Sequence, residues 1–179
     1  MGRESYSSAM VAKAAELHTG RLVLRRARAD DLDAIHQIMA DEQIMRYWST
    51  LPHASREETE RWLAGMLSEA AGESDEFVLE HDGEVIGKLG AWRLPEIGYY
   101  LRRDRWGQGF ASEALDAFIT YIASRGFTYL TADVDPLNTA SLNLLKRAGF
   151  QETGREAATC IVGDRTCDSV YLCLDLQPA

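Results

Sequence analysis

The run Glu96-Ile97-Gly98-Tyr99-Tyr100-Leu101-Arg102-Arg103-Asp104-Arg105-Trp106-Gly107-Gln108-Gly109-Phe110-Ala111 decides how this chain is read. It begins as a strand, passes through a basic turn and a glycine bend, and enters a helix with Ala111, Ala114, Leu115, Phe118, Ile119 and Ile122 on one face. The first N–H groups of a helix lack internal partners and sit at the positive end of its dipole, so this junction is an anion site. Gly107 and Gly109 let a phosphate approach the backbone closely, and Arg102, Arg103 and Arg105 add charge beside it. Three arginines in one turn of a chain with net charge −9 call for an anionic partner.

Upstream, Phe77 to Glu80 and Val85 to Trp92 flank His81-Asp82-Gly83-Glu84, a hairpin signal. Pro95 separates that hairpin from the strand Ile97 to Leu101, so three antiparallel strands precede the bend. Earlier still, Arg21 to Arg25 alternates as a first strand, and Asp30 caps a helix with Leu32, Ile35, Ile38 and Met39 on its apolar face. Ser55-Arg56-Glu57-Glu58 forms a capping box for a second helix that carries Trp62, Leu63, Met66, Leu67 and Ala70 and ends at Gly72.

Downstream, Gly126 stops the helix of the opening run and Tyr129 to Val134 is a buried strand. Asn138 caps a further helix with Leu142, Leu144, Leu145 and Ala148, stopped by Gly149. Phe150 onward and Cys167 to Leu174 form a last hairpin around Gly163-Asp164. The expected fold is α/β of the α+β kind, a largely antiparallel sheet of about seven strands flanked by about four helices. Residues 20–179 form one domain; Met1 to Thr19 is an arm in which Ala9 to Leu17 could make a short helix with no evident packing partner.

The 179 residues supply enough apolar content for a core without disulfide or metal support. A net charge of −9 argues against non-specific nucleic-acid or membrane binding. No run of about 18 apolar residues spans a bilayer, Met1 to Thr19 lacks a secretory pattern, and Tyr6 breaks the myristoylation motif; a cytoplasmic protein is expected. Cys160 and Cys167 would face each other across the last hairpin, with reduced thiols expected in that compartment. Zinc-ligand spacings are missing, so no metal is expected.

The glycine bend is not a Walker loop, because no Gly-Lys-Ser/Thr follows it. A dinucleotide fingerprint would need a glycine at Ser112 and parallel strands around it, although Asp133 lies at a suitable distance for a ribose ligand.

Trp106-Gly107-Gln108-Gly109-Phe110-Ala111-Ser112-Glu113-Ala114, followed by Asn138-Thr139-Ala140-Ser141 and Leu144-Leu145-Lys146-Arg147-Ala148-Gly149-Phe150, resembles the GNAT acetyltransferase superfamily. Its RimJ/RimL-like branch, whose members acetylate ribosomal-protein N-termini, is the most similar, and Arg21 to Arg25, Asp30-Asp31-Leu32 and Tyr47-Trp48 before Pro52 also resemble it. The likeness covers about Arg21 to Leu176.

The resemblance implies acetyl-CoA as co-substrate, with Tyr100, Leu101 and Arg103 along the pantetheine and first phosphates. Gly107, Gln108, Gly109, Phe110 and Ala111 would hold the pyrophosphate. Asn138 would orient a pantetheine amide and Lys146 would meet the nucleotide 3′-phosphate; Asn138 is equally a helix cap and Lys146 equally a solvated residue. Attack of an amine on a thioester needs a proton acceptor and oxyanion donors, with a strong acid optional. Glu96 is the candidate base, and Ser141 the candidate acid, because Leu145 stands where many relatives have tyrosine. Their plainer readings are a strand-edge carboxylate and a serine bonded to its own backbone.

Tyr47 and Trp48 would roof the acceptor cleft or pack in the core. The implied activity is acetyl transfer to a primary amine, either a protein N-terminus or a small molecule; the alternative is an acyl-CoA-binding or regulatory module without turnover. A homodimer through the final strands is an expectation from the family.

Overall fold

A computed structural model describes residues 13–68 and 74–176. The strands are β1 (Glu16–His18), β2 (Val23–Arg25), β3 (Asp75–His81), β4 (Glu84–Arg93), β5 (Glu96–Leu101), β6 (Tyr129–Val134), β7 (Gln151–Val162) and β8 (Arg165–Asp175). The helices are α1 (Leu32–Met39), α2 (Glu42–Met45), α3 (Arg56–Leu67), α4 (Phe110–Ser124) and α5 (Thr139–Arg147). The strands form one sheet in the order β1-β2-β3-β4-β5-β6-β8-β7, antiparallel except between β5 and β6. The expected class holds, with eight strands instead of about seven and α2 as an added short helix.

Local chemistry explains most of these elements. Asp82 and Gly83 turn β3 into β4 with φ of 52° and 79°, the paired positive values that a tight hairpin turn requires. Asn138 Oδ1 accepts from the Ser141 N–H at 3.2 Å and so caps α5. Ser55 Oγ accepts from the Glu58 N–H at 3.3 Å at the start of α3, while the Glu58 carboxylate reaches one residue further back than expected, to the Ala54 N–H at 2.9 Å.

Three expectations need correction. Asp30 does not cap α1: a 3₁₀ turn over Ala29–Asp31 precedes it, and Asp31 takes the Arg28 N–H at 2.7 Å while pairing with the buried Arg25 guanidinium. The charge pair outcompetes a solvent-exposed cap because it is held by two hydrogen bonds. Glu16 and Leu17 lie in β1, paired with β2, and not in a helix; the rest of the Ala9 to Leu17 segment falls mainly outside the described residues. The loop after α1 contains α2, capped by Asp41 through the Gln43 and Ile44 N–H groups. Ala70 and Gly72, expected at the end of α3, lie outside the described residues.

The central strands β3 and β4 are buried on both faces, whereas β7 at the edge is largely exposed. Phe77, Leu89, Leu115, Phe118, Leu130 and Leu145 belong to a core shared with α4 and α5. Ile35, Met39, Met45, Leu63, Val78 and Tyr100 belong to a second core under α1–α3. No helix among the described residues is long and apolar enough to cross a membrane. Cys160 and Cys167 face each other across β7 and β8 as free thiols.

Candidate active site

The sheet comes apart at one place. β4 stays paired with β5 as far as Leu101, whereas β5 and β6 pair only at Glu96↔Thr131, with the Thr131 N–H on the Pro95 carbonyl at 2.9 Å. Beyond that pair the β6-side edge of β5 is open, and a cavity of about 1430 Å³ lies there. Its wall includes β5, Thr131 to Asp135, the glycine bend and one side of α5.

Gly107 and Gly109 have φ of 72° and 82°, and Gly109 stands at the N-terminus of α4 without any side-chain cap. The first amides of α4 are therefore left for a ligand, as an anion site requires. The bend is braced from a distance. Arg21 donates to the Gln108 carbonyl at 3.0 Å, pairs with Glu113 at 2.7 Å and lies 4.3 Å from the centre of the Phe110 ring. Glu113 also accepts from Thr19 and from the Arg21 N–H. Burial pushes its carboxyl pKa up, but these donors outweigh burial and hold it below the ordinary range. Sequence reading missed this brace; the one local signal was an acidic residue in the first turn of α4.

The three arginines of the turn are not awaiting an anion. Arg102 pairs with Asp104 at 2.7 Å and with Glu84 at 3.0 Å, Arg105 with Glu84 at 2.9 Å, and Arg103 with Asp41 at 3.4 Å. Asp104 supplies part of the negative charge from within the turn, and Glu84 and Asp41, remote in sequence, supply the rest, which a scan of local charge could not register.

Of the residues expected at the donor site, Tyr100, Leu101, Gly107, Gly109, Phe110, Ala111 and Asn138 line the cleft. Arg103, Gln108 and Lys146 do not. The Gln108 side chain turns back to the Asp104 carbonyl at 2.7 Å, and Lys146 lies 3.8 Å from Glu152. Asn143 and Arg147 present the cleft side of α5 instead.

Glu96, Ser141, Tyr47 and Trp48 all line the same cleft. Desolvation, and then the charge of Asp133, raise the Glu96 carboxyl pKa, the direction that suits a proton acceptor. Ser141 Oγ is 2.6 Å from the Tyr99 hydroxyl. Burial lifts the Tyr99 pKa to about 12 against the pull of that hydrogen bond, so the phenol stays protonated at neutral pH. Tyr99 was missed because alternation alone cannot say which face of β5 meets α5.

On the acceptor side, Trp48 meets Tyr100 edge-on at 5.4 Å between ring centres, and Trp62 lies 6.4 Å from the same ring. A Cβ on Gly98 would stand 3.5 Å from the Trp48 ring, so glycine keeps the passage beside it open.

The sheet thus parts at one strand pair, and an uncapped helix start faces the opening. The family model described as the acetyltransferase (GNAT) domain matches residues 21–151, and the chain belongs to that family. It is 33% identical over 149 residues to the uncharacterized N-acetyltransferase p20 of Bacillus licheniformis, covering 77% of this chain and 83% of that one. The RimL ribosomal-protein alpha-N-acetyltransferase in complex with coenzyme A superposes with a TM-score of 0.82 at 23% identity, covering 92% of this chain and 99% of that one. Spermidine N-acetyltransferase from Vibrio cholerae in complex with CoA and spermine superposes with a TM-score of 0.78 at 21% identity, covering 89% and 98%. The resemblance to the GNAT superfamily is borne out, and the chain is a GNAT-family N-acetyltransferase that shares its fold with the RimL structure.

Proposed function

We propose that acetyl-CoA lies along the open edge of β5 with its pyrophosphate on the amides of the glycine bend, and that a primary amine attacks the thioester directly in a ternary complex. The observation that carries this reading is the convergence of the uncapped start of α4, Glu96 and the Tyr99–Ser141 pair on one cleft. The nitrogen lone pair of the neutral amine attacks the carbonyl carbon, and Glu96, directly or through water, takes the proton that the nitrogen loses. As the tetrahedral intermediate collapses, the C–S bond breaks and the Ser141 hydroxyl, backed by Tyr99, hydrogen-bonds the departing sulfur. A thiol pKa of about 8.5 makes that sulfur a good leaving group, so a modest donor suffices. Arg147, in place of Lys146, supplies positive charge at the nucleotide end.

The acceptor is a protein N-terminus or a small amine, in keeping with the ribosomal-protein and spermidine acetyltransferases that share the fold. A module without turnover is not favoured, since relatives including p20 and the spermidine N(1)-acetyltransferase of Escherichia coli are named acetyltransferases. Calorimetric titration with CoA and acetyl-CoA, followed by a thiol-release screen of amines, tests the reading. Amine-dependent thiol release supports it, and failure to bind either thiol compound overturns it.

A further inference from the structure

Tyr100 stands on β5 opposite Lys88 on β4, and Lys88 stands opposite Val78 on β3. Side chains alternate along a strand, so Glu76, two residues from Val78, leaves the same face as Lys88 and Tyr100. Lys88 is 5% exposed and ion-paired with Glu76, and its ammonium lies 5.2 Å from the centre of the Trp62 ring. Tyr100 is 4% exposed, wedged between Trp48 and Trp62, and its hydroxyl has no hydrogen-bond partner among the described residues. All five side chains line the cleft.

This end of the cleft therefore offers aromatic walls, a charge pair that is already balanced, and one buried hydroxyl without a partner. A second ammonium or a carboxylate brought here would lose its water beside a charge pair that is already balanced and offers it no net attraction. A neutral oxygen avoids that loss and would satisfy the Tyr100 hydroxyl, while an apolar chain suits the indole faces. Glu96, Gly98 and Tyr100 share one face of β5, and the glycine leaves the way between the other two clear. Glu96 and Tyr100 are about 13 Å apart along the strand, and side-chain reach reduces the gap to a chain of about five atoms.

We infer that the acceptor is a primary amine whose apolar chain ends in a neutral oxygen, lodged between Trp48 and Trp62 with that oxygen on the Tyr100 hydroxyl, and that Lys88, by neutralising Glu76, leaves a polyamine no anion to pair with. The inference rests on the transferase reading for the identity of the reacting amine. It is tested by calorimetric titration of the CoA-saturated protein with pentylamine, δ-aminovaleramide, δ-aminovalerate and cadaverine, which are matched in chain length and differ at the far end.

The amide is expected to bind about tenfold tighter than pentylamine, with δ-aminovalerate and cadaverine weakest. Tyr100→Phe should bring the amide down to the pentylamine value and leave Tm no lower, because it deletes a hydroxyl that has no hydrogen-bond partner among the described residues. Cadaverine binding best, an amide no tighter than pentylamine, an amide preference that survives Tyr100→Phe, or no amine binding at all would each overturn the pocket. CoA binding is read first in the same calorimeter. Its absence removes the transferase reading, and the amine order on the ligand-free protein still decides the pocket.

Discussion

The Tyr99 hydroxyl lies 2.6 Å from Ser141 Oγ, joining β5 to the first turn of α5 inside the cleft. Either oxygen can donate, so removing one partner leaves the other hydroxyl without its bond. Ser141→Ala is expected to lower kcat by about 100-fold, the lower end of what a positioned proton donor contributes. Tyr99→Phe, acting only through Ser141, should cost about tenfold in kcat with the acetyl-CoA KM unchanged. The double variant should be no slower than Ser141→Ala. Steady-state kinetics on the three variants decide this, and additive losses would separate the two hydroxyls.

Glu96 must be ionised to accept a proton, and desolvation followed by Asp133 holds its pKa above the ordinary carboxylate value. The acidic limb of kcat/KM should therefore lie above about pH 4.3, with activity rising as pH rises through it. Glu96→Gln should remove that limb, and Asp133→Asn should move it to lower pH by removing a neighbouring negative charge. A pH–rate profile unchanged in both variants would take Glu96 out of the proton transfer.

At Gly109, a positive φ of 82° opposes a side chain, and the Arg21 guanidinium stands at contact distance, 3.4 Å, from where a Cβ would be. Gly109→Glu should abolish CoA binding, by crowding the bend and by setting a carboxylate against phosphate. Gly109→Ala should weaken it while costing about 1–2 kcal/mol of stability. Calorimetry with CoA measures both, and an unchanged Kd in Gly109→Glu would remove the phosphate assignment.

Thr59 Oγ1 sits between two imidazoles, 2.7 Å from His36 Nδ1 and 2.9 Å from His53 Nδ1, where α1, α3 and the preceding loop meet. Burial, aided by His36 and opposed by Glu58, lowers the pKa of His53. A lowered pKa in the folded state means that the neutral ring is favoured there. Its stability contribution is full above about pH 6.5, the unfolded value, and is lost as pH falls toward the folded one. Urea unfolding should show this decline in the wild type and a flatter profile in His53→Gln. Thr59→Val should cost about 1–3 kcal/mol at neutral pH by stranding both rings.

How far the sequence could be read depended on whether the determining contacts were local. The Asp82-Gly83 hairpin, the Asn138 cap and the Gly126 and Gly149 stops were legible because a few adjacent residues set each backbone conformation. The glycine bend was legible for the same reason. Its supposed charge imbalance was misread, because Glu84 and Asp41 reach Arg102, Arg105 and Arg103 from other elements. Likewise Asp30 looked like a cap until Arg25, on the preceding strand, claimed Asp31.

By itself the sequence determined the family and most of the order of elements, β1 and α2 excepted, since those reside in contiguous stretches with their own backbone preferences. Only the tertiary structure decided which side chains share the cleft. Arg21 meets Glu113 across 92 residues of chain, Tyr99 finds Ser141 across 42, and Glu76, Lys88 and Tyr100 come together through the register of three strands. Such meetings depend on how strands align and which face each presents to a helix, and a one-residue slip of β5 would exchange the faces of Tyr99 and Tyr100.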